Sequence, residues 1–234
     1  MSTDYYIRLE QRRGPRPSEQ MLAAIARGLH LSLDERDHLF RLAGHNAPAR
    51  TLRGDHVNPG ILRILDRLDD TPAQVVTALG ETLAQTRPAV ALFGDETHFS
   101  GMARSAFYRW FTEPATRRVY AESEHAHTSK VFAADLRAVY AREGPRSRAA
   151  ALVTALLESS AEFADLWSGH DIGVSHHETK QFRHPEVGEL ALHCQMLLDV
   201  DQSQALLVFT ATPGTESYEK LQLLSVIGDQ RLHV

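Results

Sequence analysis

The spacing of apolar positions changes several times along this chain, and each change marks an element. Tyr5, Tyr6 and Leu9 fall at helical spacing behind Ser2, with Asp4 beside the positive end of the helix dipole, so a helix is expected from about Thr3. Met21, Leu22, Ile25, Ala26 and Leu29 form the stripe of a second helix, opened by Arg16-Pro17-Ser18 with the proline in its first turn. Ser32-Leu33-Asp34-Glu35 reads as the capping box of a third, which carries Leu39, Phe40 and Leu42 and stops at Gly44. Residues 45–60 then hold Pro, Gly and Asn without any period, the pattern of a linker.

Beyond a short helix at 61–68, Val75 to Leu79 and Thr82 to Thr86 read as strands of a hairpin with a two-residue turn at Gly80-Glu81. From Arg87 to Gly169 the period is helical. Segments are expected at 89–93, at 102–112 with Phe107, Trp110 and Phe111, and at 129–142 with Val131, Phe132, Leu136, Val139 and Tyr140. One long helix is expected over 147–167, with Leu152, Leu156, Leu157, Phe163 and Leu166. The clearest strand is 188–200, where Leu190, Leu192, Cys194, Met196 and Leu198 alternate with Ala191, His193, Gln195 and Asp199. A second strand covers 205–212 and ends at Pro213-Gly214; a last helix, 216–227, offers Leu221, Leu224 and Val226 as a cover. The order of elements predicts an α+β domain with a central antiparallel sheet covered by helices, preceded by a partial all-α module.

Charge divides the chain in the same place. Residues 1–53 hold nine Arg against six acids, net +3, and the remainder holds sixteen basic residues against twenty-four acidic ones, net −8. A mildly basic front on an acidic body suits a DNA-facing module joined to one that does not touch DNA. The polar start lacks the basic and apolar regions of a signal peptide, and no apolar run spans a bilayer, so a cytoplasmic protein with no membrane partner is expected. A single cysteine, Cys194, excludes an internal disulfide and reads as a buried thiol.

Catalytic signatures do not stand out. Gly-x-Ser-x-Gly, P-loop and Gly-x-Gly-x-x-Gly motifs are missing, and no spacing locates a triad, so no enzyme is expected and no catalytic residue is named. Thirteen histidines include His125, His127, His176, His177, His184 and His193, but none has the spacing of a zinc motif, and no metal or resident cofactor is expected. His170 and His184 read as structural hydrogen-bonders.

Tyr5-Tyr6-Ile7-Arg8-Leu9-Glu10, Arg16-Pro17-Ser18 and Leu39-Phe40-Arg41-Leu42-Ala43 together resemble the back half of an XRE-type helix-turn-helix. In such a module the start of the second helix reaches base edges, which points to Ser2, Thr3, Asp4 and Arg8 as readers, with Arg12 and Arg13 near phosphates. The module's first two helices are expected to be missing, and paired half-sites imply a homodimer on DNA. Further on, Leu166-Trp167, His170-Asp171-Ile172, Lys180, His184-Pro185-Glu186-Val187-Gly188-Glu189-Leu190 and Thr210-Ala211-Thr212-Pro213-Gly214 resemble the ligand-binding domain of MmyB-like transcription regulators. Phe111-Thr112-Glu113-Pro114 stands for that family's Phe-x-Asp-Pro, and Gln85-Thr86 stands where the family has Trp-Asn. The resemblance implies a partial DNA-binding module over 1–45, a linker over 46–59 and a PAS-like ligand-binding domain over 60–234. It also implies a fatty-acid-like ligand.

An apolar tail needs large side chains from both sheet and helices, and Leu79, Leu83, Phe107, Trp110, Phe111, Phe163, Trp167, Cys194 and Phe209 are the candidates. For a carboxylate head, Arg104 and Arg109 flank the aromatic cluster, with His193 as a third choice. The leading expectation is a transcription regulator whose ligand controls its DNA binding; the alternative is a ligand-binding or protein-interaction module that has lost DNA binding.

Overall fold

The computed structural model describes residues 16–45, 56–169, 179–199 and 204–231, in two compact units that divide between Thr51 and Leu52. The first unit contains α1 (Glu19–Gly28) and α2 (Leu33–Leu42). Ser18 caps α1 through the Met21 amide, so Pro17 lies before the cap and not in the first turn. The capping box of α2 forms as the sequence predicts, with Glu35 accepting from the Ser32 amide at 2.8 Å. Leu22, Ile25, Ala26 and Phe40 are buried, whereas Leu29 falls just past the end of α1 and Leu42 faces solvent. The expected helix from Thr3, and with it Ser2, Thr3, Asp4, Arg8, Arg12 and Arg13, lies outside the described residues.

The second unit starts before residue 60. Asn58 accepts from the Gly60 amide to cap α3 (Pro59–Leu65), and its own amide donates to Gln204 Oε1 at 2.9 Å. Two residues expected at the end of the linker are therefore part of the domain. β1 (Ala73–Thr77) and β2 (Thr82–Gln85) form the expected hairpin, but its loop is longer than two residues. Thr77 receives the Gly80 amide on its carbonyl and sends its own amide to Glu81 O at 2.9 Å, leaving residues 78–80 as a three-residue loop. Gly80 closes it at φ +70°, the left-handed position that such loops require.

Thr86 caps α4 (Arg87–Phe93). The helix expected over 102–112 is interrupted: a 3-10 turn, Gly101–Arg104, gives way at Ser105 to α5 (Ala106–Thr112). Ser105 donates its hydroxyl to Leu79 O at 2.6 Å and caps α5, tying that helix to the hairpin loop. A second 3-10 turn, Pro114–Val119, leads into α6 (Glu122–Glu143), which starts a full two turns before the expected boundary. The single helix expected over 147–167 is likewise two, α7 (Arg148–Ser159) and α8 (Ala161–Ser168). Ser160 leaves the helical region at φ −137°, ψ 112°, and its hydroxyl accepts from the Phe163 amide, starting a new helix that buries Phe163 against Phe111.

Three more strands, β3 (Thr179–His184), β4 (Gly188–Leu198) and β5 (Gln204–Thr210), complete an antiparallel sheet in the order β2-β1-β5-β4-β3. The α+β class and the central antiparallel sheet are as the sequence predicts. β3 was not legible as a strand because it is short and polar, with only Phe182 and His184 buried. α9 (Glu216–Arg231) packs Leu221 and Leu224 against Leu190, Leu192 and α4, and leaves Val226 exposed because it falls off that face. Among the described residues no helix is long and apolar enough to cross a membrane.

Candidate functional site

Strand register sorts the sheet's side chains before any helix is considered. Val76 pairs with Ala205, Gln74 with Leu207, Leu207 with Met196, and Phe209 with Cys194, so these residues share one face. Lys180 pairs with Leu192, two residues from Cys194, and belongs to the same face. The opposite face carries Ala73, Val75 and Leu206, which form a separate core with Leu65 of α3.

The first face is the floor of a cavity of about 490 Å³. Phe107 and Trp110 of α5, Val119 and Tyr120 of the following turn, and Phe132 and Val139 of α6 form its roof. Aromatic edges lock that roof: Trp110 meets Tyr120 at 5.3 Å and Phe132 at 5.4 Å between ring centroids, and Phe107 meets Phe132 at 4.9 Å. Trp110 also donates to Ser129 Oγ at 2.8 Å; Ser129 in turn donates to Glu162, which is paired with Arg117. Where the floor reaches Met196 and Leu198 the side chains are 38% and 59% exposed, and with Arg142 they form the rim. From Cys194 to Leu198 the floor runs four strand residues, about 13 Å at roughly 3.3 Å per residue.

Five of the sequence candidates line this cavity: Phe107, Arg109, Trp110, Cys194 and Phe209. The others lie elsewhere, each for a local reason. Leu79 is buried in the hairpin loop beneath α5. Leu83 alternates with the cavity-lining Thr82 and faces the α3 side. Phe111, Phe163 and Trp167 pack on one another on the side of α5 toward α7 and α8, with Phe163 and Trp167 stacked at 5.4 Å. Arg104 sits in the 3-10 turn, outside the lining. His193 points away from Cys194, bonding Thr179 at 3.1 Å and Thr212 at 2.9 Å on the outer face.

Arg109 lines the cavity but is fully engaged. It is 1% exposed, pairs with Glu96, donates to the carbonyls of Ala103 at 2.5 Å and Arg104 at 3.2 Å, and lies 3.9 Å over the Phe99 ring. Burial raises the Glu96 carboxyl above its ordinary range, and Arg109 works against that shift. Gln85 holds Glu96 in place by accepting its amide at 2.8 Å while donating to Gln74 on the floor. Burial likewise pushes up the Cys194 thiol, opposed by Lys180, and raises the Tyr120 phenol well above its usual range. Cys194 packs against the apolar cluster of Leu192 and Phe209.

Glu96, Tyr120 and Lys180 line the cavity and were not read as site residues. Lys180 carried a signal, since it belongs to the stretch that resembles a ligand-binding domain; Glu96 and Tyr120 lie in connecting segments with no period. Two of the histidines bond to backbone carbonyls: His125 Nε2 lies 3.1 Å from Arg117 O, and His184 Nε2 lies 3.0 Å from Ala91 O. His170, His176 and His177 lie outside the described residues. Among the described residues no group of three His, Cys, Asp or Glu is placed to hold a metal.

A family model described as the MmyB-like transcription regulator ligand binding domain matches residues 57–224, the span that builds this cavity. The comparison with curated proteins found no match.

Proposed function

We propose, from the premise that the chain belongs to the MmyB-like transcription regulator family, that the cavity holds a fatty-acid-like molecule whose occupancy controls DNA binding. The observation that supports this is the composition of the cavity: a floor of Val76, Ala205, Leu207, Met196 and Leu198 under a roof of aromatic rings. Burial of an apolar tail there contributes about 25 cal/mol per Å² removed from water, and the 490 Å³ volume falls within the roughly 300–1,000 Å³ of small-molecule sites.

Control of DNA requires the ligand to favour one arrangement of the chain over another. In this reading the front module supplies the DNA contacts, as the basic residues 1–53 favour, and two copies of the chain act as a homodimer. Native mass spectrometry of the purified chain, followed by denaturing extraction, tests the ligand. A mass excess that leaves as an aliphatic acid is expected. A clean mass, together with no uptake of added dodecanoate, would defeat the proposal.

A further inference from the structure

The charged side chains around the cavity are unequally matched. Arg109 is closed by Glu96 and two carbonyls. Arg142 stands at the rim, exposed to solvent and 3.8 Å from Glu143. Lys180 is different: it is half-buried, it lines the cavity, and among the described residues no carboxylate pairs with it. Its neighbours on the same sheet face are Leu192, directly opposite, and Cys194, on the diagonal. The Tyr120 hydroxyl shares the cavity and has no hydrogen-bond partner among the described residues.

A cation half removed from water without a counterion is unfavourable unless a ligand supplies the missing charge. We infer that Lys180, assisted by the Tyr120 hydroxyl, is the anchor for the acidic head of the ligand, so that the site selects alkyl acids over neutral alkyl compounds of the same length. The tail then runs from Cys194 past Leu207 and Met196 toward the rim at Leu198. Lys180 serves this role where Arg109 cannot, because every new partner for Arg109 has to displace Glu96. It serves better than Arg142, whose charge is screened by solvent and by Glu143.

The inference rests on the fatty-acid reading of the cavity, and the test separates the two. Calorimetric titration of the full chain with dodecanoate and with dodecanol is carried out for wild type, Lys180→Met, Lys180→Arg and Arg142→Met. Wild type is expected to prefer the acid by about tenfold, the gain typical of one charge-assisted hydrogen bond. Lys180→Met is expected to lose that preference while still binding dodecanol, and Lys180→Arg and Arg142→Met to keep it. Failure of wild type to bind either compound would sink the fatty-acid reading itself. Equal binding of both compounds to wild type overturns the role of Lys180 without any variant, as does loss of the preference in Arg142→Met alone.

Discussion

Arg109 and Glu96 close on each other inside the cavity wall, where Arg109 is 1% and Glu96 20% exposed at the side chain. The pair turns a cationic pocket residue into a neutral wall. Removing one partner strands a buried charge, so Arg109→Met is expected to cost about 3–5 kcal/mol in urea unfolding. The double variant with Glu96→Met is expected to recover about half of that loss or more, since both charges then go together. An additive double variant would show that the two side chains are not coupled.

Gly80 lines the cavity at φ +70°, and a Cβ there would stand 2.9 Å from Phe107 Cε1. Gly80→Ala therefore combines backbone strain of about 1–2 kcal/mol with displacement of an aromatic ring from the roof. A lower Tm and weaker dodecanoate binding are expected together. Unchanged binding in a destabilised variant would separate the hairpin loop from the cavity.

Leu207 sits mid-floor, between Gln74 on one neighbouring strand and Met196 on the other. Leu207→Trp is expected to fill the cavity from below while the surrounding core stays packed. Dodecanoate binding should fall by at least about tenfold with the unfolding transition still cooperative. Full binding in that variant would place the ligand elsewhere.

Glu162 ties Arg117 and Ser129 to the back of Trp110. Burial pushes its carboxyl up, but the hydrogen bonds from Arg117 and Ser129 outweigh burial and hold it below its ordinary value of 4.5. A lowered folded value means stability that is present above the unfolded value and lost as pH falls through the folded one. Glu162→Gln is therefore expected to be less stable than wild type at neutral pH, with the difference shrinking below about pH 4.5. Thermal unfolding across that range checks it; a difference constant with pH would show that the ionised carboxylate contributes nothing.

The sequence by itself determined what is local. The capping box at Ser32 and Glu35 and the hairpin around Gly80 are specified by contacts within about four residues. Alternation along β4 put Cys194 and Met196 on one face and His193 on the other, because the strand period is two whatever lies beside it. The same periodicity could not say which apolar face would be filled and which left hollow. Phe107 and Phe163 look alike as helix residues, yet one roofs the cavity and the other is core, a difference set by the breaks at Ser105 and Ser160. Those breaks depend on where each new helix must pack: Ser105 bonds Leu79, twenty-six residues away. Only the tertiary structure matched Arg109 with Glu96 and set Lys180 beside Cys194 with no counterion among the described residues. Charge balance depends on which distant segments meet once the chain has closed on itself, and no local period encodes that meeting.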